Sequence, residues 1–465
     1  MSRSSNVSSP HLPVAPFRRL IRPLERFLRI ESASGVVLLA CTALALTLAN
    51  SSVAEAIHKL WHTQVSIQIG GVHIGGELGH FIINDVLMTV FFFVVGLEIK
   101  REIVAGELRD PRKAALPVVA ALGGMLVPAG IYYALQAGQP GERGWGIPMA
   151  TDIAFVVGIM ALLGPRVPLG LKIMLLSLAI ADDIGAVVVI AVFYAGDLHY
   201  FMLLLAAGGL LFTAMLNQVG VRSVWVYLIV GLGFWLAVHK SGVHPTIAGV
   251  LLGLMTPAEA WVSRTALRLS IADLQAKLVG EAGEDVAVED LELLAFAARE
   301  SVSPLERLEH ALHPWAGFLI MPLFALANAG VHVEAAEITH PVAVATALGL
   351  CVGKPLGVML FSVVAVWLGL AKLPHGVNWW LMLGGGCLAG IGFTMSLFVA
   401  GLALAGDPHL LAAGKIGTLA GSVCSAVIGT TVLLVVLRKP RVSRPRASAR
   451  GLQMPAPSGA ENTEI

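Results

Sequence analysis

Four ionisable side chains lie in segments that are otherwise almost wholly apolar. Asp152 sits in GIPMATDIAF, Asp182 and Asp183 are adjacent in LAIADDIGAVVVI, and Lys354 is central in LCVGKPLGVM. A charge at membrane depth costs roughly 2.5–3.5 kcal/mol on insertion scales, so such groups point to function before they point to packing. The chemistry open to them is that of protons and hard cations. Carboxylates, the Thr151 hydroxyl and freed backbone carbonyls are oxygen ligands of the kind Na+ prefers, as Ca2+ and Mg2+ do. Adjacent residues on a helix project about 100° apart, so Asp182 and Asp183 cannot face one partner together. One can meet an ion while the other meets a different group. A carboxylic acid balanced between its two states near neutral pH holds either a proton or a cation, and that competition is the least an exchanger needs. Lys354 supplies a salt-bridge partner and a proton carrier. A purely structural ion pair accounts poorly for one lysine among three carboxylates, because the surplus negative charge needs a cation or protons.

These groups need a membrane scaffold, and the composition provides one. Of 465 residues, 56% are hydrophobic and 13% charged, against about a quarter charged in soluble domains, and the mean hydropathy is +0.80. Apolar runs separated by turn signals predict about twelve spans, at 34–50, 82–103, 114–135, 146–163, 168–194, 200–217, 223–238, 243–256, 308–330, 342–368, 378–403 and 410–437. The fold class expected is an all-α polytopic membrane protein. Pro148, four residues before Asp152, removes a backbone donor and clashes with the preceding turn, so span 4 cannot be one unbroken helix. Gly384-Gly385-Gly386 and Gly390-Ile391-Gly392 mark a second interruption in span 11. Two interrupted segments at matching places in spans 3–5 and 10–12 predict inverted-topology repeats with a site at the midplane.

Charge placement orients the chain. Arg18, Arg19, Arg22, Arg26 and Arg29 precede the first span, and alternate loops carry Lys100, Arg101, Arg109, Arg112, Lys113, Arg166, Arg222 and Lys372. The opposite loops hold little beyond Lys59, Arg143 and Lys240, which places both termini in the cytoplasm. The net charge of +1 gives no global field for nucleic acid. The expected organisation is a cytoplasmic leader (1–33), a transmembrane domain (34–437) and a disordered cytoplasmic tail (438–465). Within the domain, 63–75 (TQVSIQIGGVHIG) alternates apolar and polar residues around Gly70-Gly71, a hairpin signature. An exposed two-stranded hairpin tends to pair edge to edge, which predicts a homodimer contact. A charged cytoplasmic insertion, 257–303, carries Leu267, Ile271, Leu274 and Leu278 at helical spacing. Cys41, Cys351, Cys387 and Cys424 lack CxxC spacing and read as helix-packing residues.

The chain resembles the NhaA-type bacterial Na+/H+ antiporters. The resemblance runs from about residue 30 to 437 and rests on FFFVVGLEIKREI (91–103), ATDIAF (150–155), ALLGPRVPLGLKI (161–173), LAIADDIGA (178–186), SGVHPTIAGV (241–250), RLEHALHPW (307–315), LFALANAGV (323–331), GKPLG (353–357) and GIGFTMSLF (390–398). That family is itself a reference case for inverted repeats. The resemblance implies Asp182 and Asp183 as the cation- and proton-binding pair, and Thr151 and Asp152 on crossed, unwound segments. It implies Lys354 as the partner of Asp182. It also implies a pH-response role for Glu98, Arg101 and Glu102, for Glu309, His310 and His313, and for His244. It further implies electrogenic, pH-regulated exchange of Na+ or Li+ for H+ at the bacterial cytoplasmic (inner) membrane, without a cofactor. The alternatives are a Na+-coupled symporter of an organic anion, for which the spans offer no ligand cluster, and an intramembrane aspartyl protease, whose GxGD signature is replaced here by LAIADDIGA.

Overall fold

The structure is a computed structural model, and it describes residues 31–69, 72–221, 224–279, 287–332 and 335–438. The expected leader up to residue 30, the hairpin tip at Gly70-Gly71, and the tail from 439 lie outside the described residues. The chain begins with α1 (Glu31–Ala49) and α2 (Ala54–Trp61), followed by strands β1 (Gln64–Ile69) and β2 (Val72–Glu77). A π-helical stretch, Leu78–Leu87, leads into α3 (Met88–Ala105), and α4 (Pro111–Gln136) follows. A 3-10 stretch, Glu142–Met149, precedes α5 (Ile153–Leu163). Next come α6 (Leu169–Phe193), α7 (Tyr200–Val219), α8 (Val224–Lys240), α9 (Thr246–Met255), α10 (Arg264–Val279) and α11 (Val288–Glu300). The chain continues with α12 (Pro304–Trp315), π-helical Ala316–Ile320, α13 (Met321–Asn328), α14 (Ala335–Ile338) and α15 (Pro341–Leu348). π-Helical Gly349–Gly353, α16 (Lys354–Trp367), α17 (Trp379–Ala389), α18 (Phe393–Ala403) and α19 (Pro408–Arg438) complete it.

Among the described residues, eight helical segments are long and apolar enough to cross a membrane, or ten if each of two bent pairs is one span. The bent pairs are Ala33–Ala49 with Ala54–Trp61, at 114°, and Trp379–Ala389 with Phe393–Ala403, at 45°. Trp225–Lys240 and Thr246–Met255 are shorter apolar helices. The polypeptide takes this form because hydrocarbon offers backbone groups no partners, and a helix satisfies its own. The predicted hairpin forms a two-stranded antiparallel sheet with Gln64 opposite Glu77 and Ile69 opposite Val72. The insertion contains two helices, α10 and α11, instead of the single short one expected. Val288–Glu300 begins with Glu289 and Asp290 in its first turn and ends on Arg299, charges that complement the helix dipole. Lys277 joins the two helices through Asp290 at 2.7 Å, and that hydrogen bond holds its ammonium group above the usual lysine range.

Two contacts fix where the central helices sit. At the first, α4 and α16 touch through glycines: a Cβ on Gly357 would run into the Gly123 carbonyl. At the second, the π-helical turn before Lys354 fits two prolines. A Cβ on Gly349 would lie 2.7 Å from Pro148 Cβ, and one on Gly353 would lie 2.8 Å from Pro128 Cα. The widened turn and the missing side chains let α16 approach closely enough to bring Lys354 up against the 3-10 stretch.

Gly357→Val is expected to lower stability by about 1–3 kcal/mol through overpacking. Gly130→Ala, on the same α4 but with nothing within 4 Å, should be neutral or slightly stabilising. Thermal unfolding in detergent reads both, and equal midpoints for the two variants would contradict the close approach.

Candidate functional site

Two breaks in helical structure meet at the site. Between Met149 and Ile153 the backbone leaves the helix, with Ala150 and Asp152 extended. Between Ala389 and Phe393 it turns through Gly390-Ile391-Gly392. Each break frees donors and acceptors that water cannot reach, so each must find a protein partner. They find one another. The Asp152 N–H donates to the Ile391 carbonyl at 2.7 Å. The Ser396 hydroxyl donates to the Ile147 carbonyl at 2.7 Å, and the Phe393 N–H donates to Ser422 Oγ at 3.1 Å.

Asp152 serves two helix N-termini with one carboxylate. Its Oδ1 accepts from the Phe155 N–H at 3.4 Å, the N-cap bond of α5. Its Oδ2 accepts from the Thr394 N–H at 3.1 Å and from the Thr394 hydroxyl, at the start of α18. A side-chain oxygen at the N-cap satisfies an orphan donor, and a negative charge there lies at the positive ends of both helix dipoles. The opposite ends carry the opposite arrangement. Lys354 Nζ donates to the Met149 carbonyl, where the 3-10 stretch ends, and the Thr151 hydroxyl lies 2.8 Å from the Ala389 carbonyl, where α17 ends.

Lys354 Nζ also lies 2.7 Å from Asp182 Oδ2, and both side chains are fully buried. The same Oδ2 is 2.7 Å from Thr151 Oγ1. Thr151 thus has one proton and two acceptors, the carboxylate and the Ala389 carbonyl. Asp182 Oδ1 and Asp183 Oδ1 are buried without a hydrogen-bond partner among the described residues. Asp183 lies within Coulombic reach of Asp182, Glu98 and Asp152, as well as Lys354. Two acidic oxygens in a buried, oxygen-rich setting can take up a proton or a hard cation.

The structure therefore brings Thr151, Asp152, Asp182, Asp183 and Lys354 into one cluster. The remaining sequence-predicted residues divide among other places. Arg101 is ion-paired with Glu309, and Glu98 lies 3.4 Å from His313, which links α3 to α12. Glu102 is buried and turns to α6, where the Ser177 hydroxyl donates to its Oε1 at 3.0 Å. His310 is exposed and takes no part in these contacts. His244 stands apart: its Nδ1 is 2.8 Å from Thr246 Oγ1 and its Nε2 is 3.8 Å from Asp85 Oδ1. His80 and His239 approach the other oxygen of Asp85 at 3.5 and 4.0 Å.

Thr394, Ser396 and Asp85 were not singled out by the sequence reading. Thr394 and Ser396 had a signal, since two hydroxyls follow the Gly390-Ile391-Gly392 break directly in an apolar run. Asp85 had one too, as an unpaired acid within LGHFIINDVLM ahead of the apolar run of α3.

Comparison with known proteins places this geometry in context. Residues 25–433 match the family described as Na+/H+ antiporter 1. The Na(+)/H(+) antiporter NhaA of Rhodopirellula baltica is 49% identical over 434 residues, covering 92% of this chain and 97% of that protein. The protein of the same name from Rhizobium meliloti is 48% identical, covering 93% and 98%. Na(+)/H(+) antiporter NhaA 2 of Vibrio vulnificus is 46% identical, covering 91% and 94%.

Asp152→Ala leaves the Phe155 and Thr394 donors unsatisfied in a buried site and is expected to cost roughly 2–4 kcal/mol. Asp152→Asn keeps one acceptor oxygen but turns an amide NH2 toward the other helix's donors, so it too should lose stability. Thermal unfolding of the purified variants reads both, and an unchanged midpoint in either would show that the carboxylate does not act as a shared cap.

Proposed function

The chain belongs to the Na+/H+ antiporter 1 family, and on that premise we propose that it exchanges Na+ or Li+ for H+ across the bacterial inner membrane. The observation that carries this reading is the pairing of Asp182 Oδ2 with Lys354 while Asp182 Oδ1 and Asp183 Oδ1 stay buried and unpartnered. With all three carboxylates ionised and Lys354 charged, the cluster bears two surplus negative charges. A proton or a Na+ removes part of that surplus, and the arrival of one weakens the hold on the other. The cation is cargo here, and the residues that hold it are Asp183, Asp182 and Thr151.

Lys354 competes with the cation for Asp182. Breaking a buried pair by taking one partner away costs about 3–5 kcal/mol, so Na+ must replace the ammonium group as it arrives. Lys354 then releases a proton or is left with the Met149 carbonyl as its partner. The family resemblance, through the paired Asp182 and Asp183, implies exchange of more than one proton per Na+ and hence electrogenic transport.

The architecture proposed for this work is twelve spans. Eight long helices, two bent pairs and two shorter apolar helices support that count. The interrupted segments at 149–153 and 389–393 would be the crossing members of inverted repeats, and alternating access would proceed around them. The contacts of Arg101 with Glu309 and of Glu98 with His313 support a pH-responsive coupling between α3 and α12, because a histidine titrates near neutral pH. Glu102, His310 and His244 are proposed to modulate it from the outside. Cytoplasmic termini follow from the positive-inside pattern, and a homodimer through the β1–β2 hairpin follows from its two free edges.

In proteoliposomes with an imposed pH gradient, added Na+ or Li+ should collapse the gradient, and Asp183→Asn should abolish that response. Asp182→Asn should lower the Na+-driven current as well as the flux. Indifference of the gradient to both cations would overturn the assignment.

A further inference from the structure

Two arginines outside the ion site share a cleft that has no assigned role. Arg166 closes the span Glu142–Arg166, and Arg438 is the last residue of the span Pro408–Arg438. These spans end side by side, so both guanidinium groups stand at one membrane boundary. Between them lies a cleft of about 420 Å³ lined by Arg166, Leu434, Leu437 and Arg438. Among the described residues, no carboxylate lines it. Neither arginine has an ion pair or hydrogen bond among the described residues. Three other cationic groups that the sequence assigns to this face do have carboxylate partners, Arg101 with Glu309, Lys113 with Glu107 and Arg307 with Glu300.

We propose that this cleft binds the phosphate group of an anionic phospholipid. The guanidinium fork matches phosphate oxygens in pairs, and two such forks flanking one cleft suit a single phosphate. The rest of the lining favours a lipid over a free anion. Leu434 and Leu437 give the cleft an apolar wall, and Val435, Ile428, Val427 and Val423 of α19 are exposed. Their spacing of roughly one and two turns puts them along one side of the helix, where acyl chains can run away from the head group. The bound lipid would bridge the end of α19 to the end of the half-span that begins at Asp152.

The test uses the purified full-length chain and native mass spectrometry with phosphatidylglycerol, phosphatidylcholine and inorganic phosphate as probes. Phosphatidylglycerol binding should weaken about fivefold in Arg166→Gln and again about fivefold in the double variant with Arg438→Gln, as expected for one cationic contact each. Phosphatidylcholine binding should not change. Arg264→Gln, an exposed position on α10, should bind phosphatidylglycerol like the unaltered protein. The Arg166→Lys, Arg438→Lys pair keeps charge without the fork and should fall between the two. Wild-type phosphatidylglycerol binding by the double glutamine variant would overturn the proposal. So would displacement of the lipid by millimolar inorganic phosphate, which would assign the cleft to a free anion.

Discussion

A broken helix in hydrocarbon must find partners for the backbone groups it frees, and the central part of this protein is organised around that constraint. The two breaks solve it jointly. Asp152 accepts from donors of two helices, its own N–H bonds the other break, and Ser396 returns a bond from α18 to the stretch before Pro148. Lys354 and Thr151 attend to the carbonyl ends. Negative charge thus sits where helix N-termini converge and positive charge where a helical segment ends, so the fixed charges support the geometry that holds them.

The same arrangement leaves the carboxylates unequal. Asp152 uses both oxygens on helix ends and has little capacity left for an ion. Asp182 uses one oxygen on Lys354 and Thr151 and keeps one bare, while Asp183 has a bare oxygen facing several like charges. Three acids in one buried cluster therefore differ in how many of their oxygens are partnered. Because a buried charge left without its partner is costly, the Asp182–Lys354 pair holds unless another charge takes one member's place.

Much of this was legible in the sequence because charge is so rare in apolar runs. Asp152, Asp182, Asp183 and Lys354 stood out by type alone, and Pro148 and the glycines of 384–392 located the breaks. Partners were harder to read. Which hydroxyl meets Asp152 depends on how two segments 242 residues apart are aligned, and no local pattern encodes that. The histidines show a different limit. Glu309 and His313 are four residues apart on α12 and share a face, whereas His310 projects about 100° from Glu309, so the residues of one motif divide between two sides of the helix. The second helix of the charged insertion had a readable signal as well, in Val288, Leu291, Ala295 and Ala298 at helical spacing.

The mutual capping of the two breaks also bears on how the protein is made. The segment carrying Asp152 enters the membrane while Thr394, its partner, is still 242 residues from synthesis. Until α17 and α18 arrive, the Asp152 N–H, the Thr151 hydroxyl and the Ile147 carbonyl lack their partners at Ile391, Ala389 and Ser396. Assembly of the centre must then wait for nearly the whole chain, a contact between distant segments that slows folding.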